Sequence, residues 1–293
     1  MTGAGGFFGT ALVNGLSSYG HKIYATDISF TYKICKDKNI TLLKENLLSK
    51  KKSNKIKNCD IFIHNAAITK SNKNENKSLC NANINLTKKA LILAKKLNCK
   101  KFFFVSSTAV YRKFLKHKYN ERSKTFALDS YTKSKLIGER ISKEFCSKNK
   151  IKFTILRIGN IYNGFEKIKW SRLNISQMQR WLNENKKNKI LKTNKFDTLR
   201  DWTFVNDIPK ALNSLIINNQ HFKILNLVSP YCYKDIYIMN KISNKSRSKD
   251  FIQLSEKDTI NNATYSIYIN RIFFKKWTTF QKAINLIRNY ENL

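Results

Sequence analysis

At 293 residues, 42% hydrophobic and 12% aromatic, the chain can build one large α/β domain with a smaller lobe, and wholesale disorder is excluded despite a formal net charge of +37. Lysine supplies most of the 56 basic residues, while Gly and Pro number only 9 and 2. Lys, Asn, Ile, Tyr and Phe have AT-rich codons, so a base-biased genome produces this charge without selection for an anionic partner. A nucleic-acid partner would favour arginine and clustered basic faces, whereas these lysines are spread over the whole chain. Nucleic acid is therefore not the expected partner. No run reaches the roughly eighteen apolar residues of a membrane span. The start, MTGAGGFFG, lacks the basic region of a secretory signal. Cys35, Cys59, Cys80, Cys99, Cys146 and Cys232 are scattered, with no CxxC pair. They read as reduced thiols in the cytoplasm, with no zinc site.

The elements follow in a legible order. A glycine-rich turn, Thr2 to Gly9, runs into a helix over Thr10 to Tyr19. A short strand over His21 to Thr26 ends at Asp27, and a second over Asp60 to His64 leads into Asn65-Ala66-Ala67. A helix is predicted from about Asn81 to Leu97, with Ile84, Leu91 and Leu97 on one side. The continuous apolar run from Lys101 to Ser107 is a strand buried on both faces. A long helix starts near Ser130, a buried strand covers Thr154 to Tyr162, and a last strand covers Ile224 to Ser229. Apolar strands alternating with helices predict an α/β fold, a doubly wound parallel sheet of Rossmann type. The expected division is a dinucleotide-binding domain over 1–162 and a substrate lobe over 163–293, with 197–229 returning to the sheet.

In such a fold the glycine turn follows a strand at the centre of the sheet. Here the turn begins at Thr2, so the first strand is expected to be missing at the N-terminus. A gap there leaves neighbouring strands with unpaired backbone groups, and the expectation is a natural start several residues upstream.

Gly3, Gly6 and Gly9 form GxxGxxG, a spacing that suits a tight turn, close approach of backbone to a pyrophosphate, and a helix N-terminus that binds the anion. Asp27, at a strand end, suits a ribose 2′-hydroxyl and would repel a 2′-phosphate; the plain alternative is an exposed turn residue. Tyr131 and Lys135, four apart on a helix, project together. A free phenol has a pKa of about 10, and bringing it near 7 needs roughly 4 kcal/mol, which a neighbouring ammonium and an oxidised nicotinamide can supply. Ser106-Ser107 stands at the end of a buried strand, where open α/β sheets bind ligands.

Together, TGAGGFFG, Asp27, HNAA (His64 to Ala67), VSSTAVY (Val105 to Tyr111) and YTKSK (Tyr131 to Lys135) resemble the short-chain dehydrogenase/reductase superfamily. The glycine spacing is similar to its extended branch, the NAD-dependent epimerase/dehydratase family; the short-chain spacing needs Gly where Phe7 stands. Asn83 in NINLT, Glu139, LRIGNIYNG (Leu156 to Gly164) and RDWTFVNDIPKAL (Arg200 to Leu212) extend the resemblance over the chain.

The resemblance implies that Gly3, Gly6 and Gly9 hold the pyrophosphate of NAD, that Asp27 holds the adenosine ribose, and that Ala66 and Ala67 line the dinucleotide. It implies that Ser107 hydrogen-bonds the reacting hydroxyl and that Tyr131 moves its proton. Lys135 would bind the nicotinamide ribose and tune the tyrosine. Asn83, Asn160 and Arg200 would meet a sugar substrate, with Arg200 on a nucleotide-sugar phosphate or, equally, paired with Asp201 or Asp207. Two departures stand out: Asn46 where the family often has an acidic residue, and a short stretch between Tyr162 and Arg200 that implies a reduced lobe. Trp170, Trp181 and Trp202 are candidates to stack on a base or sugar, against ordinary packing; His64 and His117 show no partner pattern. The expected protein is an NAD-dependent epimerase, dehydratase or oxidoreductase of a nucleotide sugar, as a cytoplasmic homodimer. The alternatives are an NAD(P)-dependent dehydrogenase or reductase of a free sugar or sugar acid, and a non-catalytic Rossmann-fold binder with a basic, anion-binding surface.

Overall fold

The computed structural model describes residues 1–49, 56–69, 76–111, 118–162, 181, 184–185, 187, 189–193, 196–219, 221–243, 251–254, 263–269 and 276–291. In chain order these hold α1 (Phe7–Ser17), β1 (Ile23–Asp27), β2 (Ile40–Lys44), β3 (Ile61–His64), α2 (Asn76–Lys96), β4 (Lys101–Ser107) and α3 (Ser130–Lys148). Then come β5 (Lys152–Ile158), β6 (Asn160–Tyr162), β7 (Leu191–Thr193), β8 (Leu199–Arg200), β9 (Trp202–Phe204) and α4 (Asp207–Ile217). The described part ends with β10 (Ile224–Leu227), β11 (Tyr233–Lys234), α5 (Asp235–Ile242), β12 (Phe251–Gln253) and α6 (Phe280–Glu291).

The main sheet is parallel, as the alternating pattern predicts. β3, β4, β5 and β10 lie side by side in that order, and β1 pairs with β2. The two parts meet through Thr2, which pairs in parallel with Thr26 of β1 and His64 of β3. Thr2 N–H donates to Ile63 O at 3.0 Å, and Thr26 N–H donates to Met1 O at 2.8 Å. Met1 and Thr2 thus lie as strand residues between β1 and β3. Behind them a cavity of about 370 Å³ opens between Ile23 and Tyr24 on one side and Ile61 to Ile63 on the other.

β4 explains the two faces of the sheet. Alternate side chains of a strand point to opposite sides. Phe103 and Val105 pack with Leu12, Val13 and Leu16 of α1 and with Ile208, Leu212 and Leu215 of α4. Phe102 and Phe104 pack with Ala90, Leu91 and Ala94 of α2 and Cys146 of α3. Each fully buried large side chain contributes about 1.5–3 kcal/mol, so the run from Phe102 to Val105 anchors the domain from both sides. A separate core joins Tyr162, Trp202 and Phe204 to Ile238, Met239 and Ile242 of α5 and Phe280, Ile284 and Ile287 of α6.

Some boundaries differ from expectation. α2 begins at Asn76, before Asn81, and already buries Leu79 and Cys80 ahead of the expected start. The strand expected over Thr154 to Tyr162 is two elements: β5 stays in the main sheet, and β6 leaves it to pair with β9. The break falls at Gly159, where a Cβ would lie 2.6 Å from Asp201 Oδ2 and 2.7 Å from a methyl of Val228. Among the described residues no helix is long and apolar enough to cross a membrane.

Candidate functional site

The glycine turn closes onto the loop after β3. Gly3 has φ +68, and a Cβ on it would lie 2.5 Å from the backbone N of Ala66, so two reasons demand glycine there. Asn65 stitches the two loops together: its side-chain Nδ2 donates to Gly3 O at 2.8 Å. That contact places Ala66 and Ala67 beside the turn. At Gly6, the N-cap of α1, a Cβ would have nothing nearer than 3.9 Å. No side chain caps α1, and its first turn holds no acidic residue. Uncapped N–H groups at the positive end of a helix, beside a bare glycine, suit a pyrophosphate. This cradle fits the dinucleotide that the glycine spacing implies.

Asp27 ends β1 next to the cradle. Its Oδ2 accepts from Gly5 N–H at 2.9 Å and its Oδ1 from Ile28 N–H at 2.7 Å. Two backbone donors fix the carboxylate, whose remaining lone pairs stay available to a diol. Gly5 was not singled out in the sequence, yet a Cβ there would collide with Ser29 O. The only trace of this in the sequence was the doubled glycine at 5 and 6. Asn46 accepts from Leu48 N–H at 2.9 Å, a local turn contact just after β2.

Lys135, beside Tyr131 on α3, reaches the C-terminal end of β4, the strand that Ser107 closes. Asp129 caps α3: its carboxylate accepts from Thr132 N–H at 2.6 Å, and Asp129 N–H donates to Thr132 Oγ1 at 3.0 Å. A cap of this kind is worth about 0.5–2 kcal/mol and sets where the helix starts, hence the phase of Tyr131 and Lys135. Lys135 Nζ lies 5.7 Å from the Tyr131 ring centroid and 5.4 Å from that of Phe104. It donates to Val105 O at 2.7 Å, two residues before Ser107. Gly138 lets α3 lie against β4, because a Cβ there would meet the Phe104 ring at 2.4 Å. Ser107 Oγ accepts from Ala109 N–H at 3.2 Å. Burial pushes the Lys135 ammonium down to about 8, while the Glu139 carboxylate holds it up against a deeper fall. His64, buried beside Thr2 Oγ1 at 2.8 Å, is pushed down to about 3 by burial and then by the Lys135 charge, so it stays neutral.

The three candidate substrate residues sit differently. Asn83 is buried and binds both backbone groups of Ile68, accepting at 2.8 Å and donating at 2.9 Å, and it donates to Ser134 Oγ at 3.1 Å. It ties the loop after β3 to α3. Asn160, on β6, donates through its side chain to Asp201 Oδ1. Arg200 pairs with neither Asp201 nor Asp207. Its Nε and Nη2 donate to the two carboxylate oxygens of Asp235 at 2.9 and 3.0 Å. The Asp235 carboxyl is fully buried and also accepts from Thr193 Oγ1 at 2.9 Å. Trp181 and Trp202 are buried with ring centroids 5.9 Å apart, which makes them core residues. Trp170 and His117 lie outside the described residues. Among the described residues no group of His, Cys, Asp and Glu is placed to hold a metal ion.

The sequence also gave no warning of a buried polar chain beneath Lys135. Glu139 accepts from Ser106 Oγ at 2.5 Å and from Arg157 Nε and Nη2 at 3.0 and 2.6 Å. Arg157 Nη1 donates to Tyr111 OH at 2.7 Å, and Tyr111 OH donates to Asn226 Oδ1 at 2.9 Å. β4 and β5 are buried almost continuously, so no local pattern set Ser106 and Arg157 apart or named their partner.

The main sheet and its helices have close counterparts among solved structures. An epimerase from the methanogen Methanothermobacter thermautotrophicus superposes with a TM-score of 0.83 at 19% identity, covering 99% of this chain and 90% of that one. The UDP-N-acetylglucosamine 4-epimerase from Methanobrevibacter ruminantium, solved with UDP-N-acetylmuramic acid, gives 0.80 at 20% identity, over 98% and 97% of the two chains. The dTDP-glucose 4,6-dehydratase from Bacillus anthracis, solved with NAD, gives 0.79 at 18% identity, over 99% and 95%. At these identities the likeness is one of fold. Comparison with curated proteins returns no match. A family model described as the NAD dependent epimerase/dehydratase family matches residues 1–227. Because that span runs from the glycine turn through β10, the last strand of the main sheet, the chain belongs to the NAD-dependent epimerase/dehydratase family, is an enzyme, and takes NAD as its cofactor.

Proposed function

We propose that the protein is an NAD-dependent epimerase or dehydratase of a nucleotide sugar, with Tyr131 as proton acceptor and donor, Lys135 as its electrostatic partner and Ser107 as the group that orients the reacting hydroxyl. The observation that carries this reading is the placement of Lys135. Its ammonium is fixed by Val105 O at 2.7 Å, close to the Tyr131 ring and two residues from Ser107. A buried positive charge there favours the phenolate over the phenol, which is the direction a general base needs.

NAD, when bound, supplies a hydride acceptor that can give back what it takes. Gly3, Gly6 and Gly9 with the N-terminus of α1 would hold its pyrophosphate, Asp27 its adenosine ribose, and Ala66 and Ala67 its flank. In this reading Tyr131 takes the proton of a sugar hydroxyl held by Ser107 and later returns it. Lys135 holds the nicotinamide ribose. Arg200, made rigid by Asp235, faces the nucleotide phosphate, while Asn83 and Asn160 shape the rim of the sugar site. Residues 1–162, with 197–229, form the cofactor half, and the rest of 163–293 forms the sugar half. The enzyme is read as a cytoplasmic homodimer; its six cysteines, all free thiols, suit a reducing compartment. The structural neighbours support the substrate class, since two of them are enzymes of UDP- and dTDP-linked sugars.

The test is turnover of a panel of UDP- and dTDP-hexoses by the purified chain with NAD, followed by proton NMR of the sugar. The reading expects a changed sugar without net NADH. Net NADH from free sugars, with the nucleotide sugars untouched, would favour the dehydrogenase reading instead.

A further inference from the structure

We propose that Glu139 is a positioning residue whose negative charge keeps Lys135 protonated and seated against β4, so that the Tyr131–Lys135 pair works at neutral pH. The proposal rests on the reading of Tyr131 and Lys135 given above. Tyr131, Lys135 and Glu139 stand at successive i, i+4 positions on α3, so they share one face of the helix. Lys135 and Glu139 are both about nine-tenths buried or more, at 6% exposure each. They reach adjacent residues of β4: Lys135 donates to Val105 O, and Glu139 accepts from Ser106 Oγ. The helix face is therefore fastened to the strand end at two adjacent points, one cationic and one anionic.

A buried ammonium loses hydration and tends to shed its proton unless an opposite charge is close. The titratable groups that face Lys135 among the described residues are few. Tyr131 lies on its own helix, and His64 comes from β3 but is neutral. Glu139 is the carboxylate that opposes the loss, and Arg157 of β5 meets it from the far side. Arg157 in turn orients Glu139, since a bidentate guanidinium pair fixes the carboxylate plane. A neutral amide at 139 would keep the helix packing and much of the hydrogen bonding. It would not keep the charge. That difference separates a positioning role from a structural one.

The experiment follows the Lys135 ammonium directly, in the full chain without substrate. The probe is the NMR signal of isotope-labelled lysine Nζ, assigned by its loss in Lys135→Met. In Glu139→Gln the titration midpoint of Lys135 should fall by about one pH unit, and Glu139→Asp, which keeps the charge, should restore most of it. Removing one partner of a buried pair strands the other, so Glu139→Gln/Arg157→Met serves as a second variant that removes both charges together. It should fold and still show the lowered midpoint. On an active nucleotide sugar, kcat of Glu139→Gln should fall about twofold at pH 7 and close to tenfold above about pH 9, following the lowered midpoint, with KM nearly unchanged. An unchanged midpoint in a folded variant overturns the proposal, even if activity is lost. A lowered midpoint in a protein that turns over no nucleotide sugar would leave Glu139 its role and remove the substrate reading instead.

Discussion

Lys135 Nζ donates to the carbonyl oxygen of Val105 at 2.7 Å, joining α3 to the end of β4 inside the protein. Burial outweighs what this carbonyl and the Glu139 carboxylate give back to the cation, so the contact is held at a cost to stability.

The cost is measurable through pH. The Lys135 ammonium is lowered from 10.5 to about 8 by burial, so the folded chain binds fewer protons than the unfolded one between those values. Stability from this group therefore rises with pH from about 8 toward 10.5, and the penalty is fully present below about 8. Lys135→Met should be more stable than the parent at pH 7, with the difference shrinking as the pH rises. The gap to be lost is about 3 kcal/mol by linkage. Urea unfolding of both chains at a series of pH values checks it; a gap constant with pH would show that the ammonium is not buried as described.

Asp27 makes a second prediction. Its carboxylate is fixed by Gly5 and Ile28 at the edge of the cradle. Asp27→Ala should weaken NAD and remove the repulsion against NADP, narrowing or reversing the preference between them by about tenfold or more. Calorimetric titration of both cofactors measures this. Unchanged relative affinities would mean that Asp27 faces no ribose.

The cavity between β1 and β3 gives a third. Four apolar residues fused ahead of Met1 would run parallel to Ile23 and Tyr24 on one side and to Ile61 and Phe62 on the other, extending the pairing that Thr2 makes. Three or more buried side chains contribute roughly 1.5–3 kcal/mol each, so such a fusion should raise the melting temperature clearly. A fusion of four Gly and Ser residues should not. Calorimetry of the two fusions beside the parent decides, and equal melting points would show that the slot takes no strand.

The parts of this molecule that were legible in its sequence are those written locally. The run from Lys101 to Ser107 reads as a strand buried on both faces, and β4 has those bounds. A helix start near Ser130 was readable, and Tyr131 and Lys135 follow from it by helical spacing alone; the Asp129–Thr132 cap that fixes the start was not read. Gly3 is set by a backbone turn, which glycine spacing announces. The unread parts depend on distant partners. β2 is an edge strand with only Leu43 buried, so its pattern is faint. The link from Arg200 to Asp235 spans 35 positions, and that from Glu139 to Arg157 spans 18 and needs the α3–β5 crossover to close. Gly159 looked like one more residue of a strand until Asp201 and Val228 were seen against it.

The most direct measurement of the central claim is Tyr131→Phe, with NAD binding by calorimetry and sugar turnover by NMR on the same preparation. The change removes one hydroxyl and leaves the cradle, Lys135 and the α3 cap in place. The account predicts a loss of turnover of about a thousandfold, within the range for removal of a general acid–base group, with NAD affinity nearly unchanged. Turnover close to that of the parent, with NAD still bound, would contradict it.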